Sequence, residues 1–314
     1  MNETQISPRT TTSTRPARQG TPRGSGAPTV DLPRVGPVRR SLAAFAALMT
    51  LPYLVLKIAW LSGSRVGLQD PEFGHSTAML VLNSLTMGLD VVALILAGVF
   101  FFRRGIRAPL WLVLPPMWIG AGLLGQILLT MPVNLIWAAV SPAQPTADEL
   151  PPIADWVYAM VYAGFSGLGI GLLGAFAIYA WQRWGQHPIP RPGPRSRAVL
   201  RGAAALAAVS GLAQLVLADL PLLNRIIDLV IAGILAVVLL ALGRPGAGRG
   251  TAVVAFAGTG ALTAWGTYLT VILLIPNDLV GQSSVDWATV GTSLLRAAAG
   301  FAGAGALIAR LRGR

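Results

Sequence analysis

The chain has 314 residues, 54% of them hydrophobic and only 11% charged, with a mean hydropathy of +0.64. A soluble domain carries about twice that charged fraction, so a soluble globular fold is excluded, and the absence of cysteine rules out disulfides, thiolate metal sites and thiol chemistry. A net charge of +12 would suggest nucleic acid in a soluble protein, but here the arginines cluster at the ends of alternate apolar runs, the distribution of loops facing anionic headgroups, and no nucleic-acid partner is expected.

Residues 1–40 are rich in Thr, Ser, Pro, Gly and Arg and offer no apolar face, which predicts a disordered cytoplasmic tail and not a signal peptide. A first span is expected over 41–61, anchored by Arg39 and Arg40, kinked at Pro52 and carrying Lys57 near its far end. A polar loop with two acids follows. The second span, 77–102, holds 26 residues with one charge, Asp90, at its midpoint. As a helix it would reach roughly 39 Å, more than the ~30 Å hydrocarbon core of a bilayer. Asn83, Thr86 and Asp90 fall at helical spacing and form one polar stripe, which must face protein or a water-filled cavity.

Arg103, Arg104 and Arg107 stop that span. The third, 108–130, contains Pro115–Pro116, which predicts a break or bend near its entry. Residues 131–152 read as the longest loop, with NLIWAAV lying flat in the interface. The fourth span, 153–181, exits into an arginine-bearing loop that Pro188, Pro190, Pro192 and Pro194 keep extended. Spans five (202–217) and six (222–242) are joined by a very short turn, and spans seven (251–275) and eight (287–309) complete the chain.

The predicted fold is therefore all-α: a polytopic transmembrane bundle of eight spans. With the N-terminus inside, the tail, the cytoplasmic loops and the C-terminus hold 20 arginines, against Arg65 alone on the opposite side. That asymmetry places both termini in the cytoplasm of a bacterial cell membrane. Anionic headgroups are the expected partners of those arginines.

Two marks recur in the same order. LDVVALILAG at 89–98 is matched by IDLVIAGILA at 227–236, aligning Asp90 with Asp228, and MPVNLI at 131–136 is matched by IPNDLV at 275–280. Asp155–Trp156 and Asp286–Trp287 then open the next spans. Parallel repeats over 41–184 and 198–314 account for this order; shared Leu/Ala/Val/Gly composition is the alternative.

The intramembrane polar set is Lys57, Asn83, Asp90, Gln126, Gln214, Arg225, Asp228 and Arg296. Asp90, Asn83, Lys57, Asp228 and Arg296 make the candidate polar binding site, opening outward with Asp90 at its floor. Three fates are open to Asp90: pairing with Arg296, pairing with Lys57, or remaining protonated. The bland alternatives are a local Arg225–Asp228 pair and a Lys57 that snorkels outward. Gly167 and Gly171 form a GxxxG pair, as do Ala299 and Gly303 in its small-residue version, and close helix packing explains both.

PYLVLKIAWLSG (52–63), LPPMWIGAGLL (114–124) and GFSGLGIGLLGAFAIYAWQRW (164–184) are similar to stretches in uncharacterised multi-pass membrane proteins of high-GC actinobacteria. This resemblance implies a helical bundle and carries over no site residue. No HExxH, nucleophile elbow, Walker loop or histidine pair occurs, so neither an enzyme nor a cofactor or metal site is expected. The expected function is a small-solute or proton-coupled transporter, with a small solute or a proton as its ligand. A membrane assembly or regulatory subunit is the alternative.

Overall fold

A computed structural model describes residues 35–70, 77–140, 152–186, 188–275 and 285–313, and among these the chain is all-helical. The helices are α1 (Pro37–Leu61), α2 (Thr77–Phe101), α3 (Leu110–Val140), α4 (Asp155–Trp184), α5 (Pro194–Leu217), α6 (Leu222–Leu242), α7 (Arg249–Leu274) and α8 (Trp287–Leu311). All eight are long and apolar enough to cross a membrane. The only strand-like pairing among the described residues is a bridge between Leu68 and Ile153, tying the loop after α1 to the segment ahead of α4.

Several boundaries differ from the sequence expectation. α1 starts four residues early because Pro37 sits in its first turn, where a missing N–H costs nothing. This takes Arg39 and Arg40 inside the helix, and Arg39 is buried instead of anchoring to headgroups. α1 ends at Leu61, and two residues on Gly63 takes a φ of +88°, the left-handed conformation that closes a helix. α3 runs unbroken through Pro115, Pro116 and Pro132 and takes in NLIWAAV, so there is no break at Pro115–Pro116 and 134–140 is helical and continuous with α3. In an apolar medium the backbone bonds of a helix are too valuable to abandon for an irregular segment, and isolated prolines are absorbed. α5 starts at Pro194, again in the first turn, so Arg195, Arg197 and Arg201 are helical and not in a loop. The predicted tail lies outside the described residues up to position 34.

Two large buried clusters form most of the core. One joins Ala43, Ala46, Leu96, Phe100, Met117, Leu172 and Tyr179 of α1–α4, and the other joins Leu200, Ala207, Leu235, Leu239, Leu262 and Leu307 of α5–α8. In each half the first helix packs on both the second and the fourth: α1 on α2 and α4, α5 on α6 and α8. The halves meet chiefly where α3 crosses α7. There Gly122 and Gly260 touch so closely that a Cβ on Gly122 would lie 2.2 Å from the Gly260 carbonyl carbon. The α4 glycines seat α1 in the same way, with Gly171 against the backbone of Leu42 and Ala46. Trp111, Trp156, Trp181 and Trp287, at helix ends, are largely exposed, as interfacial anchors are.

Candidate functional site

Two polar centres lie inside the bundle, one in each half. In the first, Lys57 Nζ of α1 donates to Asp90 Oδ2 of α2 at 2.8 Å. Lys57 is fully buried and Asp90 nearly so. The ammonium also lies 3.8 Å from the centre of the Tyr53 ring, one turn earlier on α1. The aromatic face supplies a second electrostatic partner where water is excluded. Tyr53 is itself held edge-on against Phe165 of α4, with ring centroids 5.4 Å apart.

The reach of Lys57 follows from helix geometry. Side chains tilt toward the N-terminus of their own helix. Lys57 is four residues from the end of α1, so its chain points back into the bundle and not outward, and the snorkelling alternative is not adopted. The Asn83 amide, two turns from Asp90, does not reach the pair. Thr86 turns its hydroxyl onto the Leu82 carbonyl at 2.8 Å.

In the second centre Arg296 Nη2 of α8 lies 2.8 Å from Asp228 Oδ1 of α6. Gln126 of α3 bridges the two: its Nε2 donates to Asp228 Oδ1 at 3.2 Å and its Oε1 accepts from Arg296 Nη2 at 3.0 Å. A carboxylate, a guanidinium and an amide from three helices thus satisfy one another in a buried setting, and Gln126 extends the first half into the second half's centre. The local Arg225–Asp228 pair is not formed. Arg225 precedes Asp228, so its N-terminal tilt carries the guanidinium away, and Nη1 donates to the Leu215 carbonyl at 3.2 Å.

The five residues read from the sequence as one site are therefore separated: Lys57 with Asp90, Asp228 with Arg296, and Asn83 apart from both. Among the three fates weighed for Asp90, the structure has the Lys57 pair. Tyr53 was not singled out from the sequence, although its i, i+4 spacing to Lys57 is a usable signal. Two further buried arginines went unanticipated. Arg39 Nε donates to the Phe100 carbonyl at 2.8 Å, at the end of α2, and Arg310 Nε donates to the Leu242 carbonyl at 2.9 Å, at the end of α6. Both place a cation at a helix C-terminus, where the last carbonyls lack intrahelical partners.

The head of α8 is capped by Asp286, whose carboxylate accepts from the backbone N–H groups of Ala288 and Thr289 at 3.0 and 3.1 Å. The Thr289 hydroxyl and these N–H groups hold the Asp286 carboxyl below the usual carboxylate range. Among the described residues no cluster of three or more His, Cys, Asp or Glu side chains stands at metal-binding distance. No family model matches the chain, and neither a curated protein nor a solved structure matches it.

Proposed function

We propose that this multi-pass membrane protein is a small-solute or proton-coupled transporter of a cell membrane, with its arginine-rich end and both termini in the cytoplasm. The observation that carries the reading is the Lys57–Asp90 pair, an acid and an amine 2.8 Å apart, buried between adjacent helices in an apolar bundle. Ionisable groups are costly there and most often mark a pathway. A proton reaching Asp90 removes the charge that holds Lys57, which loosens α1 from α2 and frees an ammonium to meet an anionic or polar solute. The matched packing of the two halves, each with its own charged centre, supports a carrier built from two parallel repeats.

At the arginine-rich end an open, largely apolar surface hollow is bordered by Arg40, Phe101, Phe102, Arg103 and Arg104. Guanidinium groups beside phenyl rings suit an anionic lipid headgroup and its acyl chain, which supports anionic lipid as a partner. A membrane assembly subunit is the second reading. It is favoured by the matching of both buried carboxylates to a cation at 2.8 Å, which is the arrangement of a helix lock.

The deciding experiment is a thermal-shift screen of the purified protein against small polar and charged solutes across pH, followed by counterflow of any hit in proteoliposomes. A transporter gives a solute that raises the melting temperature and exchanges across the membrane, and Asp90→Asn with Lys57→Met abolishes both effects. A protein that binds and moves nothing, and that purifies with a stoichiometric membrane partner, is an assembly subunit.

A further inference from the structure

The charged centre of the second half is approached by a row of buried polar side chains, some without a hydrogen-bond partner. On α8, Asp286, Thr289, Ser293 and Arg296 recur at spacings of three, four and three, which places them on one face running inward from the acid-bearing end. Thr289, Ser293 and Arg296 are buried. At the head of this face the Thr289 hydroxyl accepts the Asp219 N–H at 2.7 Å, so the α5–α6 turn is tied to the start of α8. α5 then packs along α8, with the chain running the opposite way.

Depth follows from counting along both helices. Gln214 lies five residues before Asp219 on one side, and Ser293 four residues after Thr289 on the other. At about 1.5 Å per residue they sit at nearly the same depth, one turn short of Arg296. Both are wholly buried. Neither amide atom of Gln214 and not the Ser293 hydroxyl has a hydrogen-bond partner within the protein. The Thr263 hydroxyl of α7, packed against Gly300 one turn beyond Arg296, is likewise unpartnered. Among the described residues, all such orphaned side-chain atoms belong to α5–α8 and none to α1–α4.

Lys57 stands four residues from the end of α1 and finds its acid on α2. Gln214 stands three residues from the end of α5 and has no partner on α6, whose Asp228 is bonded to Arg296 and Gln126. A buried primary amide with its donors and its acceptor both unmet is strongly unfavourable unless a small molecule able to accept and donate sits beside it. Water has that chemistry and that size.

We propose that the seam between α5 and α8 is a water-bearing access route, leading from the acid-bearing face past Thr289, Ser293 and Gln214 to the Arg296–Asp228–Gln126 centre. Its use as the outward limb of a transport path rests on the function proposed above, whereas its hydration does not. The two halves then differ: buried side chains without hydrogen-bond partners lead toward the Asp228 centre, and none is found in α1–α4 among the described residues.

The chain has no cysteine, so single cysteines report accessibility directly. Full-length Ser293→Cys, Ala299→Cys and Leu294→Cys proteins in liposomes would be exposed to a small, charged, membrane-impermeant methanethiosulfonate. Ala299 is buried in the apolar core and Leu294 is on the exposed apolar surface of α8, so both serve as unreactive references. A hydrated seam makes Ser293→Cys react on the order of 100 times faster than Ala299→Cys, and adding Gln214→Leu slows it by displacing water. Gln214→Leu alone then lowers the melting temperature or leaves it unchanged. Ser293→Cys reacting as slowly as Ala299→Cys overturns the proposal, as does a Gln214→Leu protein that melts higher, because a dry seam gains from losing an orphaned amide. Loss of flux with labelling intact would overturn the transport reading and leave the seam standing.

Discussion

Lys57 stands one turn from the end of α1, where an ammonium ordinarily escapes to the headgroups, and instead it reaches inward to Asp90. Charge and geometry both require this: the side chain tilts toward its helix start, and the carboxylate there has no basic neighbour on its own helix. Asp90→Asn therefore strands a buried ammonium and should lower stability by about 3–5 kcal/mol. Adding Lys57→Met should recover most of that loss, and adding Arg296→Gln should recover none, as read by thermal unfolding in detergent. Recovery with Arg296→Gln would mean that the pairing assigned here is wrong. Asp286 makes the opposite kind of case at the membrane edge. Its carboxyl is held below its ordinary range, so the stabilisation it contributes is present above that range and is lost as the pH falls through the lowered value. Asp286→Ala should melt below the parent protein at neutral pH, and the two curves should converge in acid. At this scale the sequence marks which residues are expensive to bury, since Asp90 and Arg296 stand alone in apolar runs and Asp228 has only Arg225 near it. It does not reveal who pairs with whom, because Lys57 and Arg296 are equally plausible by depth and only the relative positions of α2, α6 and α8 decide between them.

Helix contacts in this protein turn on a few positions without side chains, the α3–α7 crossing above all. An offset of 138 residues separates Asp90 from Asp228, and the same offset separates Gly122 from Gly260. In that register of the proposed repeats the two glycines are equivalent positions, and they meet at the joint between halves. Gly122→Ala drives a methyl group into the Gly260 backbone, and should cost about 1–3 kcal/mol as an overpacked site does. Gly120→Ala, two residues away with open space around it, should be neutral or slightly stabilising. Equal melting temperatures for the two variants would show that the crossing is looser than described. Helix existence was legible throughout, because each apolar run is continuous and long. Boundaries were not legible where prolines lie. Pro115–Pro116 reads as a break and NLIWAAV as an interfacial segment, yet α3 continues through both. Pro194 reads as part of an extended stretch, yet it opens α5. The α3 misreadings apply a rule for water, where a broken backbone hydrogen bond is replaced by solvent, to a medium where it is not; Pro194 instead sits in a first turn, where its missing N–H costs nothing.

Across the whole molecule the eight helices divide into two cored halves, and the surface left over is apolar. Between 28% and 50% of each membrane-crossing window is buried, least in α1, α2 and α3 and most in α7, so the remaining Leu, Val, Ile and Phe side chains face outward around the bundle. Such a surface is stable only in lipid, which leaves one global question, that of which end faces the cytoplasm. The helices fix the two ends as sets. Gln69 and Val285 are exposed at the acid-bearing end, and Arg104, Arg191 and Pro245 are exposed at the arginine-rich end. Positive residues are retained on the cytoplasmic side during insertion, and 20 arginines against one is a strong bias even though the first 34 residues lie outside the described structure. Cysteines placed singly at 69 and 285 in the cysteine-free chain should be labelled by an impermeant maleimide on intact cells. Those placed at 104, 191 and 245 should be labelled only after the membrane is opened. The reverse pattern would invert the molecule, put Asp286 and the α5–α8 seam on the cytoplasmic face, and turn the proposed outward access route into an inward one. A pattern mixed within either set would contradict the eight-span count itself, since every described helix connects one set to the other.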